Sequence, residues 1–454
     1  MQIKKDIPSS SSISRHIGAA NETEENPVVK DQDELIDHLF YEFRLFDSNK
    51  LDSIKNVDDI LSGLNSDEIP FFAIHNSRFP CELINFLISD AKELINNIIM
   101  TSILHIIALI TSERKSYKEL ASPEFINILL EIIKYSGQDK NCVYSWWIIM
   151  NLSNIEEYDL FNDNGVFNYI NEISSSDLIA NDKISFIISK IMKRFGNCFI
   201  NNIPLYHEIV MKLLKFQVVP FINITLMSIS KFFLNVSEEH LDLQLQILSN
   251  VASLFDLEDN TVIGRALSVF YSVFQASNDY IIVHFDEINL FEKFQHVLKI
   301  DNGEIQASGC ELLIKLIASN NIFEKKILDS DIIETICQNA KCCSFYCVEQ
   351  SIKIICEFIC CLHNSDLLKR ILENGGIELI CQNISNCSDE NMNSISDSIY
   401  HIMNQNPQLL KCMVDCGLIE GIEEIINSTY EDENIYNAAN SLYEFLIPYL
   451  SDQS

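Results

Sequence analysis

Long apolar stretches, interrupted by polar residues four positions apart, dominate the chain. In Ser228-Ile229-Ser230-Lys231-Phe232-Phe233-Leu234-Asn235, Lys231 and Asn235 stand one helical turn apart with only apolar residues between them. That spacing puts both on one face of an α-helix whose remaining faces are buried. Cys356/Cys360 and Cys412/Cys416 repeat the spacing with small residues suited to a buried face. Asp33-Glu34-Leu35-Ile36-Asp37-His38-Leu39-Phe40 is likewise amphipathic and helical. The most apolar run, residues 98–110, contains Thr101, Ser102 and His105 and falls short of the roughly 18 residues a membrane span needs.

The helices repeat. Leu160-Phe161-Asn162-Asp163-Asn164-Gly165-Val166-Phe167, Ile371-Leu372-Glu373-Asn374-Gly375-Gly376-Ile377 and Met413-Val414-Asp415-Cys416-Gly417-Leu418-Ile419 share one grammar: an apolar pair, polar residues, Gly, then a new apolar segment. This reads as a helix stopped by a left-handed glycine with the next helix starting at once. Gly417 lies 42 residues after Gly375, and Gly375 lies 210, or five times 42, after Gly165. Weaker copies stand at Asp331 before Ile332, Asn289 before Leu290 and Glu124 before Phe125, while the slots near 207 and 249 show no clear stop.

A second column keeps nearly the same period. Trp147 and Asn151 are followed by Ser189 and Lys193, Lys231 and Asn235, Tyr271 and Gln275, Glu311 and Lys315, then Lys353 and Glu357, at steps of 40 or 42 residues. Asp397 with His401 and Asn440 with Glu444 are looser copies, and His105 stands 42 before Trp147. Any helix exposes polar pairs of this kind, but their recurrence predicts a stripe facing solvent on the same side of every repeat, the natural place for a ligand groove.

Composition narrows the fold. Gly and Pro number 12 and 9 among 454 residues, too few for the turns of an all-β fold or the phosphate loops of a nucleotide-binding one. An all-α chain of this length exceeds one compact core, and the period makes it a single stack of repeats. Acidic residues outnumber basic ones 65 to 32, a net charge of −33, which argues against nucleic acid or an anionic membrane as main partner.

A period near 42, a Gly between a short helix and the next, and a Trp-x-x-x-Asn pattern within Val143-Tyr144-Ser145-Trp146-Trp147-Ile148-Ile149-Met150-Asn151-Leu152-Ser153 resemble armadillo repeats, as in importin-alpha and beta-catenin. The resemblance implies a right-handed α-solenoid, a superhelix of three-helix repeats, over residues 83–450. Residues 33–82 then form an N-terminal capping segment and residues 1–32 a disordered arm. In importin-alpha-like proteins the Trp flanks pockets for Lys stems and the Asn grips the main chain of a basic peptide. Only Trp147 and Asn151 match that pair fully, and Asn235 matches half of another. Lys231, Lys315 and Lys353 put positive charge where such a groove holds Trp or Asn. The N-terminal arm lacks the strongly basic character of an importin-beta-binding segment: residues 1–28 carry only Lys4, Lys5 and Arg15 as cations.

Two constellations keep alternatives open. Cys342, Cys343, Cys347, Cys360, Cys361 and His363 could form a zinc site, or the cysteines could serve as small core residues; no C-x-x-C pair occurs. Glu420, Glu423, Glu424, Glu431, Asp432 and Glu433 could draw a basic partner or form a solvated end face. Phosphate-loop, dinucleotide, nucleophile-elbow and H-E-x-x-H signatures are missing from the sequence. The reading is a monomeric, non-enzymatic scaffold or adaptor, cytoplasmic or nuclear, without cofactor or metal. Its groove for a protein or extended peptide is lined by Trp147, Asn151, Ser189, Lys193, Lys231, Asn235, Tyr271, Gln275, Glu311, Lys315, Lys353 and Glu357. The alternative is an importin-alpha-like nuclear transport adaptor recognising basic signals.

Overall fold

The computed structural model describes residues 32–65, 68–94, 98–113, 120–137, 139–174, 182–215, 218–319, 326–327, 329–342, 345–361, 365–405, 407, 409–427 and 433–451. The N-terminal arm lies outside these except for its last residue. Among the described residues every regular element is a helix. The chain divides into two compact units, residues 1–198 and 199–454.

In the first unit four long helices pack one against the next: α1 (Lys50–Ser62), α2 (Ile98–Ile110), α3 (Lys140–Leu152) and α4 (Asp182–Phe195). Helices α2, α3 and α4 begin 42 residues apart, at 98, 140 and 182. Helix α1 packs on α2 as α2 packs on α3, so the stacking already includes part of the segment 33–82. Phe79–Leu94 and Pro123–Ser136 form a second row against α2 and α3.

Local chemistry sets these boundaries. Asp139 caps α3 by accepting from the Cys142 amide at 3.1 Å, and Ser122 caps the helix beginning at Pro123 by accepting from the Phe125 amide at 3.2 Å. The start expected beside Glu124 is therefore at Pro123, with Glu124 inside the first turn. Covered on three sides, α3 buries every residue from Asn141 to Leu152 except Trp147. Its neighbour Trp146 stacks on Tyr169, ring centroids 6.1 Å apart, while Phe161, Phe167 and Phe195 fill the core beyond α3.

The second unit continues the design with α5 (Val219–Phe233), α6 (Asn260–Gln275), α7 (Gly303–Ser319), α8 (Phe345–Cys361), α9 (Asp389–Gln405) and α10 (Glu433–Ser451), again packed successively. Their first residues, 219, 260, 303, 345, 389 and 433, are 41 to 44 apart. A parallel row of shorter helices, Ile203–Leu213, Leu241–Ser253, Leu290–Leu298, Ile332–Cys342, Gly376–Asn383 and Leu418–Asn427, stacks beside them. Each unit is an α-solenoid in which an element's apolar faces are buried by its neighbours in the stack. Tyr206 shows how dry the interior is. Its hydroxyl lies 3.0 Å from the Ser228 hydroxyl, its ring stacks on Phe232, and burial pushes its pKa far above the ordinary tyrosine range.

The junctions explain the period. Gly165, Gly375 and Gly417 have φ of +76°, +79° and +93°, just before the short helices Val166–Ile173, Gly376–Asn383 and Leu418–Asn427. Asn289, before Leu290, adopts φ +52°, the left-handed region that asparagine tolerates better than most side chains. The two slots without a visible stop prove instructive. Near 249 the turn is made by His240 at φ +57°, before Leu241. Near 207 no left-handed residue is used: Asn202 caps the helix Ile203–Leu213 through the Leu205 amide, with Pro204 in the first turn.

Replacing Asn289 by Gly relieves the left-handed strain without disturbing the junction. The expected outcome is a rise of on the order of 0.5 kcal/mol in stability, read as a higher Tm, whereas Gly165→Val should lower it. Equal Tm values for all three proteins would contradict this account of the junctions.

Candidate partner-binding face

Between layers, side chains reach back to carbonyls near the ends of helices in the preceding layer. Asn151 donates its amide to the Ala108 carbonyl of α2 and to the Thr111 hydroxyl, both at 3.2 Å. Arg194 donates to the Met150 carbonyl of α3 and to the Ser153 hydroxyl. Asn278 donates to the Phe233 carbonyl of α5 at 2.8 Å, and in the shorter row Asn339 donates to the Leu298 carbonyl at 2.7 Å. Helix C-termini leave carbonyls without intrahelical partners, and these side chains satisfy them. Asn151, a candidate groove residue, is thus buried with its amide engaged inside the stack.

In the first unit the other candidates separate. Trp147 is half-buried and the one residue of α3 between Asn141 and Leu152 that reaches the surface. Ser189 faces inward, fully buried, and its hydroxyl has no hydrogen-bond partner among the described residues. The half-buried residues beside it on α4 are Phe186, Lys190 and the candidate Lys193. His105, one layer before Trp147, is half-buried; its Nδ1 lies 2.6 Å from the Asp58 carboxylate of α1 and its ring 5.2 Å from that of Tyr144. Burial, reinforced by the Asp58 charge, pushes Tyr144 up to about 12.

In the second unit the candidates converge. Lys231 is half-buried and Asn235 and Gln275 exposed, Asn235 donating to the Lys231 carbonyl at 3.5 Å. Tyr271 on α6, Glu311 and Lys315 on α7 and Lys353 on α8 form one cluster. The Lys315 ammonium lies 5.0 Å from the centroid of the Tyr271 ring, a cation–π contact. The Glu311 charge raises the Tyr271 pKa, helped by burial and by the hydrogen bond Tyr271 donates to that carboxylate; Lys353 pulls the other way. Lys353 pairs with Glu390 on α9. Glu357 is half-buried one turn beyond Lys353.

Tyr346 and Glu349 on α8 and Glu390 on α9 belong to this cluster, although they fall outside the sequence ladder. Burial raises the Tyr346 pKa, with Glu311 and Glu349 adding to it. Glu349 accepts from the Ser388 amide at 3.2 Å, tying α8 to the layer that follows. Tyr346 stands seven residues before Lys353, two turns along the same face, and that spacing is the signal that could have found it.

The cysteine constellation divides between buried and undescribed positions. Cys347 is buried and Cys360 half-buried, and the side chains of Cys342, Cys343, Cys361 and His363 lie outside the described set. Burial pushes Cys337 up to about 11 and Cys387 to about 12. Among the described residues no group of three His, Cys, Asp or Glu side chains is placed to hold a metal ion. Of the acidic run, Glu420, Glu423, Glu424 and Glu433 are exposed, Glu423 accepting from the Tyr443 hydroxyl at 3.2 Å, and Glu431 and Asp432 lie outside the described residues.

No family model matches the chain, and no curated protein matches it in sequence. Solved structures do match. The crystal structure of an engineered protein from the Northeast Structural Genomics Consortium is similar over 92% of this chain and 96% of its own, with a TM-score of 0.61 and 12% identity. A designed armadillo repeat protein is similar over 52% of this chain and 98% of its own, with a TM-score of 0.43 and 15% identity, too loose a likeness to carry an argument. The fold is an α-solenoid, carried by the layer geometry and the broader match. Among the described residues no helix is long and apolar enough to cross a membrane.

Asn151→Ala should lower stability by about 1–3 kcal/mol, because it strips the Ala108 carbonyl of its buried donor. Asn235→Ala should stay within about 0.5 kcal/mol of the parent. Urea midpoints measure both, and equal midpoints would mean that the brace at Asn151 does not hold the layers.

Proposed function

We propose that the chain is a non-enzymatic scaffold that binds a protein or extended peptide along the exposed stripes of its long helices. The observation that supports this most is the Tyr271, Glu311, Lys315, Tyr346 and Lys353 cluster. Three successive helices present aromatic and charged side chains to one another across their layers. Half-exposed tyrosines suit partner recognition because they bring large contact area and a polar tip at low entropic cost. The chain acts as a monomer in the cytoplasm or nucleus on this reading, and Trp147 and Lys193 are the corresponding candidates within the first unit.

An importin-alpha-like adaptor for basic signals is the second reading, favoured by the half-exposed Trp147. The Asn151 amide, which that reading needs for a peptide main chain, is engaged on Ala108, and Lys315 and Lys353 sit where a basic peptide would be repelled. The scaffold reading accounts for both features.

Affinity capture with quantitative mass spectrometry tests the proposal. Tyr271→Ala with Tyr346→Ala should remove the proteins captured by the wild type, with a Tm change of at most a few degrees, while exposed Phe72→Ala on another helix should keep them. Retention by the double variant, or its loss of fold, would defeat the assignment. A labelled Lys-rich peptide that fails to bind the wild type at tens of micromolar in low salt would eliminate the transport reading, since low salt favours it most.

A further inference from the structure

Two cysteine pairs have the same spacing and opposite surroundings. Cys356 and Cys360 lie one turn apart on α8, and Cys412 and Cys416 lie one turn apart at the end of the helix Leu409–Asp415. Both pairs read in the sequence as a buried helical face. The structure agrees for the first: Cys356 is buried and Cys360 half-buried, its sulfur 3.5 Å from the Ser398 hydroxyl of α9. It differs for the second, where Cys412 is exposed and Cys416 half-buried. Packing explains the thiols at 356 and 360, but not those at 412 and 416.

Geometry brings the second pair together. Two Cα atoms one α-helical turn apart stand about 6 Å from each other, inside the range of roughly 4.4–6.8 Å that a disulfide spans. The Cys416 amide donates to the Cys412 carbonyl at 3.0 Å and to the Met413 carbonyl at 3.2 Å, so the turn is closed along its backbone. The two side chains are within hydrogen-bonding reach of each other. Cys416 is the first residue past the helix, in the turn that leads to the left-handed Gly417. Any adjustment that a cross-link requires falls on that turn and not on a helix interior.

The surroundings sort the roles of the two thiols. Burial raises the Cys416 pKa, and Cys412, Glu378 and Asp415 raise it further. Cys416 is thereby held as the thiol, and the first attack falls to the exposed Cys412. A thiol held in this way is also a poor leaving group, so a bond made to Cys416 is not easily reopened at that sulfur. Cys381, on the preceding short helix, is buried, and burial followed by the charges of Cys416 and Cys412 pushes its pKa up. That environment keeps Cys381 out of thiol exchange.

We propose that Cys412 and Cys416 form a reversible modification site, a dithiol that a low-molecular-weight disulfide oxidises to a disulfide across the turn before Gly417. Oxidised glutathione represents that class. The Cys412 thiolate attacks one of its sulfurs, the S–S bond breaks, and the departing glutathione thiolate takes up a proton. Cys416 then gives its proton to solvent, attacks the Cys412 sulfur of the mixed disulfide and expels the second glutathione, which is protonated in turn. Two protein thiols are oxidised to one disulfide while one small disulfide is reduced to two thiols. The site goes beyond the scaffold reading and does not depend on it.

The test incubates the reduced, desalted full-length protein at increasing ratios of oxidised to reduced glutathione. Remaining thiols are alkylated after denaturation and located by peptide mass spectrometry. The segment 412–416 should lose two hydrogen atoms, escape alkylation at both cysteines and regain both thiols with dithiothreitol. Cys356 and Cys360 should stay fully alkylated, which makes the buried pair an internal control. Cys416→Ser should trap a glutathionyl adduct on Cys412, and Cys416→Ala should do the same should serine disturb the turn. Cys412→Ser should leave Cys416 without an adduct at the same ratio. Phenylarsine oxide checks the geometry without oxidation: one should bind per chain, released by dithiothreitol and not by glutathione, with loss of binding in either variant. In the oxidised protein, exchange of the Cys416 and Gly417 amides, both hydrogen-bonded within this turn, should slow at least about threefold. Independent alkylation of Cys412 and Cys416 at every ratio, glutathione retained on both, a bond to Cys381 or between two chains, or equal oxidation of Cys356 and Cys360 would overturn the proposal. So would unchanged amide exchange or retention of the arsenical by either variant.

Discussion

The donation of a side-chain N–H from one layer to a main-chain carbonyl of the layer before it holds this architecture in register. A helix packed between two others cannot expose the carbonyls of its last turn to water, and each one left buried and unpaired costs about 1–3 kcal/mol. Asn151, Arg194, Asn278 and Asn339 answer that demand from one repeat away. Apolar burial supplies the bulk of the association between layers but is indifferent to sliding. A hydrogen bond with a fixed donor and acceptor is not, and it sets which residues stand opposite one another.

Once register is fixed, the partner face follows. Trp146 and Trp147 are adjacent on α3, and a rotation of about 100° per residue turns one into the core and the other outward. The same geometry turns Tyr271, Glu311 and Lys353 toward one another across three layers. Inner helices such as α3, α5 and α7 are buried on most of their circumference, so the little that emerges is concentrated and chemically mixed. In the second unit acids and lysines offset each other; on α4 cations prevail.

Much of this was legible in the sequence, for identifiable reasons. The period was readable wherever the junction needed a left-handed residue and used Gly, as at 165, 375 and 417, or Asn, as at 289. It was hidden at 240, where a histidine takes that conformation, and at 202, where an Asn cap and a proline make the start without it. The ladder missed the bracing residues by one to three positions, which on a helix is not close enough. Layer spacings vary from 41 to 44 in the second unit, so a fixed step of 42 drifts around the helix. In that unit Asn278, not Gln275, does the work of Asn151; on α4, which begins 42 residues after α3, Ser189 nonetheless points inward and Arg194, not Lys193, reaches back. Tyr346 escaped because the ladder sampled one pair per helix and stopped two turns short of it, and Glu390 because its position depends on how one layer meets the next, which no single helix encodes.

The uniform spacing of the layers also bears on how the chain reaches this state. Neighbouring layers are separated by nearly the same length of chain, so each closure carries nearly the same entropic cost, and no late step must join distant segments. Within a unit, folding can begin wherever two layers first meet and spread outward by repetition of a single event. An end layer is covered on one side only, so opening should begin at the ends of a stack and spare its middle.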